Sequence, residues 1–165
     1  MRVSPVGLAF DEERDVLYQA EQSAVVTHGH PEGIKGAQAV ALAVFKARTG
    51  ESKDQIREAI ESRFGYDLHE TINDIRPRYS FDVTCQGSVP QAIIAFLDSR
   101  DVEHAIRLAV SLGGDSDTQA SIAGGIAHAF YRSVPCEIID GVRQRLPSEF
   151  MDIIDEFCET YALWG

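Results

Sequence analysis

The segment GGDSDTQASIAGGIAHAFY, residues 113–131, places two aspartates one residue apart between a glycine pair and a run of small apolar residues. On a regular helix, residues two apart point about 200° away from each other. Asp115 and Asp117 therefore converge only if Asp115 stays in the glycine-bearing loop and Asp117 enters the first helical turn. Gly113 and Gly114 accept the backbone angles that such a loop needs. Thr118 then sets a hydroxyl beside both carboxylates. Downstream, Ala120, Ala123, Gly124, Gly125 and Ala127 allow a second helix to approach closely and hold the loop rigidly.

Two readings of this acidic entrance stand side by side. Asp, Ser and Thr are the commonest helix N-caps, and carboxylates in a first turn favour the helix dipole without any metal. Alternatively, a compact all-oxygen cluster suits a hard dication, Mg²⁺ or Mn²⁺, better than zinc or copper. Two aspartates and a threonine do not supply the six or so oxygens that such an ion takes. The chain has no second Asp-x-Asp, no Asp-Asp pair and no Thr-Asp dipeptide to make up the difference.

Outward from this helix, apolar spacing predicts helices almost throughout. Residues 11–26 open with acids and carry Val16, Leu17, Ala20, Ala24 and Val25 on spaced positions. THGHPEG, residues 27–33, is a short break, and Pro31 suits the first position of a helix running to Gly50. Ser52 and Gln55 form a capping-box pattern ahead of a helix closed by Gly65. A weaker helix spans 68–75 and ends before Pro77. YSFDVTC, residues 79–85, alternates like a strand but is too short for a sheet. Ser88 and Asp101 then read as caps of two helices, and two more follow the acidic segment, the last opened by Ser148. The expectation is one all-α domain over residues 1–165, a bundle of roughly eight helices joined by short loops.

The totals fit that fold and narrow the partners. The 165 residues carry 26 acids against 15 Lys and Arg, for a net charge of −11. Such a surface repels nucleic acid and anionic lipid, so neither is an expected partner. A phosphate-bearing ligand needs a metal, a helix N-terminus or a local arginine to offset the field. Cys85, Cys136 and Cys158 are odd in number and far apart, which fits free thiols in a cytoplasmic protein. No apolar run approaches membrane-spanning length, and the N-terminus lacks a signal-peptide pattern.

Other constellations are sparse. His28 and His30 form a His-x-His pair without further ligands at zinc spacing; they read as a turn after a helix, or as a loop histidine facing a ligand. His69, His104 and His128 fall on separate predicted helices as surface or boundary residues. No nucleophilic triad, P-loop or dinucleotide fingerprint is present.

Residues 113–131 are similar to the C-terminal signature of the ADP-ribosylglycohydrolases, the dinitrogenase reductase-activating glycohydrolase family: Gly-Gly-Asp-x-Asp-Thr, then a small-residue helix ending in aromatics. THGHPEGIKGAQAVALAVF resembles the family's Thr-His-x-x-Pro block, and GSVPQAIIAFL its Ser-Val-Pro block, both in family order. The resemblance implies an all-α fold, a dinuclear Mg²⁺ or Mn²⁺ site, and hydrolysis of the bond joining ADP-ribose to a protein side chain or small acceptor. It implies Asp115, Asp117 and Thr118 as metal ligands, and His28 and Val83 as residues facing ADP-ribose. It names no general base.

The family's upstream Gly-Asp, Thr-Asp-Asp-Thr and Gly-Asn-Gly segments have no counterpart here, and MRVSP looks like the family's Met-Arg. The chain is thus expected to be the C-terminal portion, lacking half of the metal ligands and weak or inactive alone. Uncovered apolar faces imply one of three outcomes: marginal stability, self-association or a partner fragment. A non-catalytic metal- or nucleotide-binding, or structural, relative of the family is the alternative.

Overall fold

The computed structural model describes residues 1–161. Among them are ten helices and no strand: α1 (Ser4–Ala9), α2 (Glu13–His28), α3 (Pro31–Arg48), α4 (Lys53–Phe64), α5 (Ile72–Ile75), α6 (Cys85–Leu97), α7 (Val102–Ser111), α8 (Ser116–Tyr131), α9 (Cys136–Arg143) and α10 (Ser148–Thr160). The all-α expectation is met, with α1 as a short addition and α5 as the last turn of the weaker helix expected over residues 68–75. The chain divides into two compact units, Met1–Tyr131 and a second from Arg132 onward.

The first unit is built around α3. Its residues Ala39–Phe45 are buried without interruption, so every face of the helix meets protein rather than water. Helices α1, α2, α4, α6 and α8 all pack against it. Helix α6 is nearly as deep, with Ile93, Ile94 and Phe96 at most 2% exposed. Each such side chain contributes roughly 1.5–3 kcal/mol by leaving water.

The small residues of α8 behave as their pattern implies. A Cβ added at Gly125 would sit 2.5 Å from the Ser4 hydroxyl of α1, so only glycine permits this approach. Ile122, Ala123, Ile126, Ala127 and Ala129 are buried against the neighbouring helices α3, α6 and α7.

Several helix ends match the sequence reading. Pro31 opens α3, and Ser52 with Gln55 completes both halves of a capping box on α4. Gly65 closes α4 in the left-handed region at φ 67°. Asp101 caps α7 by accepting from the His104 N–H. Elsewhere the ends differ. Helix α2 continues through Thr27 and His28, so the break there is only two residues wide.

Helix α6 starts one turn earlier than Ser88, at a Thr84 cap that accepts from the Gly87 N–H. Pro90 sits inside it, where its missing N–H costs one helical bond. The alternating stretch 79–85 forms no strand; its last two residues are the α6 cap, Thr84, and the first residue of α6, Cys85. His69 lies in the loop after α4 and not on a helix.

The second unit holds α9 and α10. Neither helix buries a residue. Arg143 and Asp155 form an ion pair at 3.0 Å, and the Phe157 and Tyr161 rings meet at 4.6 Å. No helix among the described residues is long and apolar enough to cross a membrane.

Candidate active site

The acidic segment adopts the split arrangement that convergence requires. Asp115 lies just outside α8 with its carbonyl accepting from the Gln119 N–H, and Asp117 lies in the first turn. Gly113 and Gly114 carry φ of 76° and 69°, the left-handed region that favours glycine. The Asp115 side chain, with the Thr118 N–H second, holds the exposed Asp117 carboxyl below the usual carboxylate range. That N–H lies 2.7 Å from Asp117 Oδ1.

A cavity of about 460 Å³ opens beside this segment, lined by Asp115, Thr118, His28, Val83, Ser88 and Arg2 over an apolar floor that includes Val40, Val89 and Ile122. It falls within the usual size range of small-molecule sites, and its mix of apolar wall with few polar groups is the usual composition. Four of the five residues singled out from sequence, His28, Val83, Asp115 and Thr118, therefore meet at one place. Asp117 stands outside the lining, beside Asp115.

His28 is oriented by a short chain of hydrogen bonds. Arg2 Nη2 donates to the Ser23 carbonyl at 3.2 Å and to Thr27 Oγ1. Thr27 Oγ1 in turn lies 2.8 Å from His28 Nδ1. These contacts tie the His28 imidazole to α2 and to the N-terminal segment through Thr27. Arg2 is also the local cation that a phosphate-bearing ligand needs in so acidic a chain. Its signal in the sequence was only that general requirement.

A second cavity of about 350 Å³ adjoins the first and shares His28, Gly33 and Cys85 with it. Burial pushes the Cys85 thiol up, so it is protonated at neutral pH and a poor nucleophile. His30 serves as the α3 cap, its Nδ1 accepting from the Glu32 N–H at 3.2 Å. The His-x-His pair is thus divided between a cap and a cavity wall.

A hard divalent cation takes about six oxygen ligands. Asp115, Asp117 and Thr118 offer hard oxygens of the right type. Among the described residues, neither aspartate has an ion-pair partner that would compete for it. No group of three or more His, Cys, Asp or Glu converges among those residues either. The residues fit such an ion in kind and would supply part of its sphere.

The ADP-ribosylglycohydrolase family profile matches residues 1–165. The chain belongs to the ADP-ribosylglycohydrolase family. It is 32% identical to an uncharacterized protein of Archaeoglobus fulgidus over 92% of this chain and 54% of that one. To the human ADP-ribosylhydrolase ARH3 it is 30% identical, over 79% of this chain and 48% of the relative. A solved structure described as an ADP-ribosylglycohydrolase-related protein complex superposes with a TM-score of 0.60 at 30% identity, covering 76% of this chain and 46% of the other. The chain thus spans about half the length of the relatives it matches.

Proposed function

We propose that this chain supplies the C-terminal part of an ADP-ribosylglycohydrolase active centre, acting on an ADP-ribosylated protein or small acceptor. The observation that carries the reading is the meeting of His28, Val83, Asp115 and Thr118 around one cavity of about 460 Å³. Asp115, Asp117 and Thr118 would hold a Mg²⁺ or Mn²⁺ ion, which supplies Lewis acidity and a grip on ribose hydroxyls when bound. His28 offers its imidazole to the ligand, and Arg2 offsets phosphate charge. Val83 and the apolar floor exclude water from one side of the nucleotide. In glycosyl cleavage, carboxylates near the anomeric carbon stabilise positive charge in the transition state.

A second reading, binding without turnover, is supported by the donor set of only three residues, which leaves much of a coordination sphere to other groups. In either reading the exposed Tyr18, Val25 and Val26 of α2 support self-association in solution.

Thermal melting with ADP-ribose and MnCl₂ tests the shared part. The melting temperature is expected to rise, by the equivalent of about 2.7 kcal/mol at 100-fold excess over Kd. No shift with either ligand would end both readings. Chromatographic detection of released ADP-ribose from a modified peptide then separates them, with weak or no release expected for this chain alone.

A further inference from the structure

Val83 lies on an irregular segment, residues 79–84, between α5 and α6. Such a segment has no ladder of its own to fix it, yet one side chain ties it down in two directions. Tyr79 donates its hydroxyl proton to the Gly87 carbonyl in the first turns of α6 at 2.8 Å. The same oxygen accepts from Nε2 of Gln119, on α8 immediately after Thr118. Gln119 is 0% exposed, and its Oε1 has no hydrogen-bond partner. Tyr79 is therefore the one side chain hydrogen-bonded to this buried amide among the described residues.

The segment also touches the acidic loop directly. A Cβ placed at Gly114 would lie 3.0 Å from Tyr79 Cε1, 3.5 Å from the Phe81 Cα and 3.8 Å from the Ser80 carbonyl. The left-handed glycine that releases Asp115 from the helix is thus packed under the tyrosine ring. Burial, with Asp82 next, raises the phenol above its usual range, so it remains a donor at neutral pH.

The geometry points to Tyr79 as a positioning residue: by bridging Gly87 and Gln119 over Gly114, it holds the Val83 wall and the Asp115–Thr118 entrance in a single register. Neither Tyr79 nor Gln119 lines the large cavity, so the effect passes through the residues they hold. The inference rests on the proposed role of that entrance in metal and ADP-ribose binding. A purely structural pair would behave differently: its whole effect would be the cost of leaving Gln119 unsatisfied, and would vanish once that amide were removed.

The test uses the 165-residue chain as wild type, Tyr79→Phe and the double variant Tyr79→Phe/Gln119→Met. Three readouts are taken: melting temperature, Mn²⁺ affinity by calorimetry, and backbone amide resonances of Val83, Gly114, Asp115 and Thr118. Tyr79→Phe is expected to lower the melting temperature, weaken Mn²⁺ about 10-fold or more, and shift all four amides together. The double variant is expected to regain melting temperature while affinity and amide shifts stay displaced. Recovery of all three in the double variant would overturn the proposal, as would unmoved amides in Tyr79→Phe. If wild type binds no Mn²⁺, the functional reading fails on that ground alone. The amide shifts then decide the coupling by themselves.

Discussion

Helices α8 and α10 are of similar length, 16 and 13 residues, and both carry isoleucine, phenylalanine and acids. In α8, Ile122 and Ile126 are 1% and 0% exposed; in α10, Ile153 and Ile154 are 63% and 40% exposed. The difference lies in what separates the large side chains. Between its isoleucines α8 has alanine and glycine, which let neighbouring backbones close over them. Helix α10 instead alternates its apolar residues with Asp152, Asp155, Glu156 and Glu159, giving a narrow stripe with a charged flank. Small residues make a helix coverable on several faces, and that coverage is what fixes the two aspartates at the α8 entrance.

The contrast breaks most visibly at Ile126. Ile126→Ala is expected to destabilise by about 2–5 kcal/mol, because lost transfer energy adds to an unfilled cavity. Urea unfolding with an unchanged m-value measures it. Next, Gly125→Leu should cost about 1–3 kcal/mol by overpacking against Ser4. Its diagnostic signature is a shift of α1 and α8 resonances together.

A smaller effect is expected from pH. Burial holds His128, on α8, below its ordinary 6.5. The unfolded chain therefore binds the proton first, and stability falls as pH drops below about 6.5, levelling off once the folded histidine protonates. His128→Gln should flatten that slope in melting curves taken between pH 7 and pH 5. The smallest change belongs to α10. Ile153→Ala should alter stability by no more than about 0.5 kcal/mol, as at other exposed sites. A large loss there would mean that the α10 stripe is covered in solution.

Much of this contrast was legible in the sequence. The glycine pair with Asp-x-Asp forecast both the left-handed loop and the split placement of Asp115 and Asp117, because each follows from local backbone sterics. Pro31, Ser52 with Gln55, Gly65 and Asp101 announced helix ends for the same local reason. Where two local signals competed, the reading slipped. Ser88 before Val89-Pro90 resembles a helix start, yet Thr84 caps one turn earlier and the helix absorbs the proline. The alternation of Tyr79, Phe81 and Val83 mimics a strand, but Phe81 is exposed, Val83 lines the cavity, and Tyr79 turns inward to Gln119. That pairing joins residues 40 positions apart, and no periodicity encodes it. The same holds for Arg2, whose place beside Thr27 depends on α1 docking across α2 and α3.

The coordinating role of the α8 entrance is tested most directly by titrating Mn²⁺ into wild type and into Asp115→Asn/Asp117→Asn, with folding checked by circular dichroism. Wild type is expected to bind, and the doubly substituted protein to lose affinity at least 100-fold, about 2.7 kcal/mol, while keeping its helical spectrum. Equal affinity in the two proteins, or no binding by either, would contradict the assignment of these carboxylates to a metal.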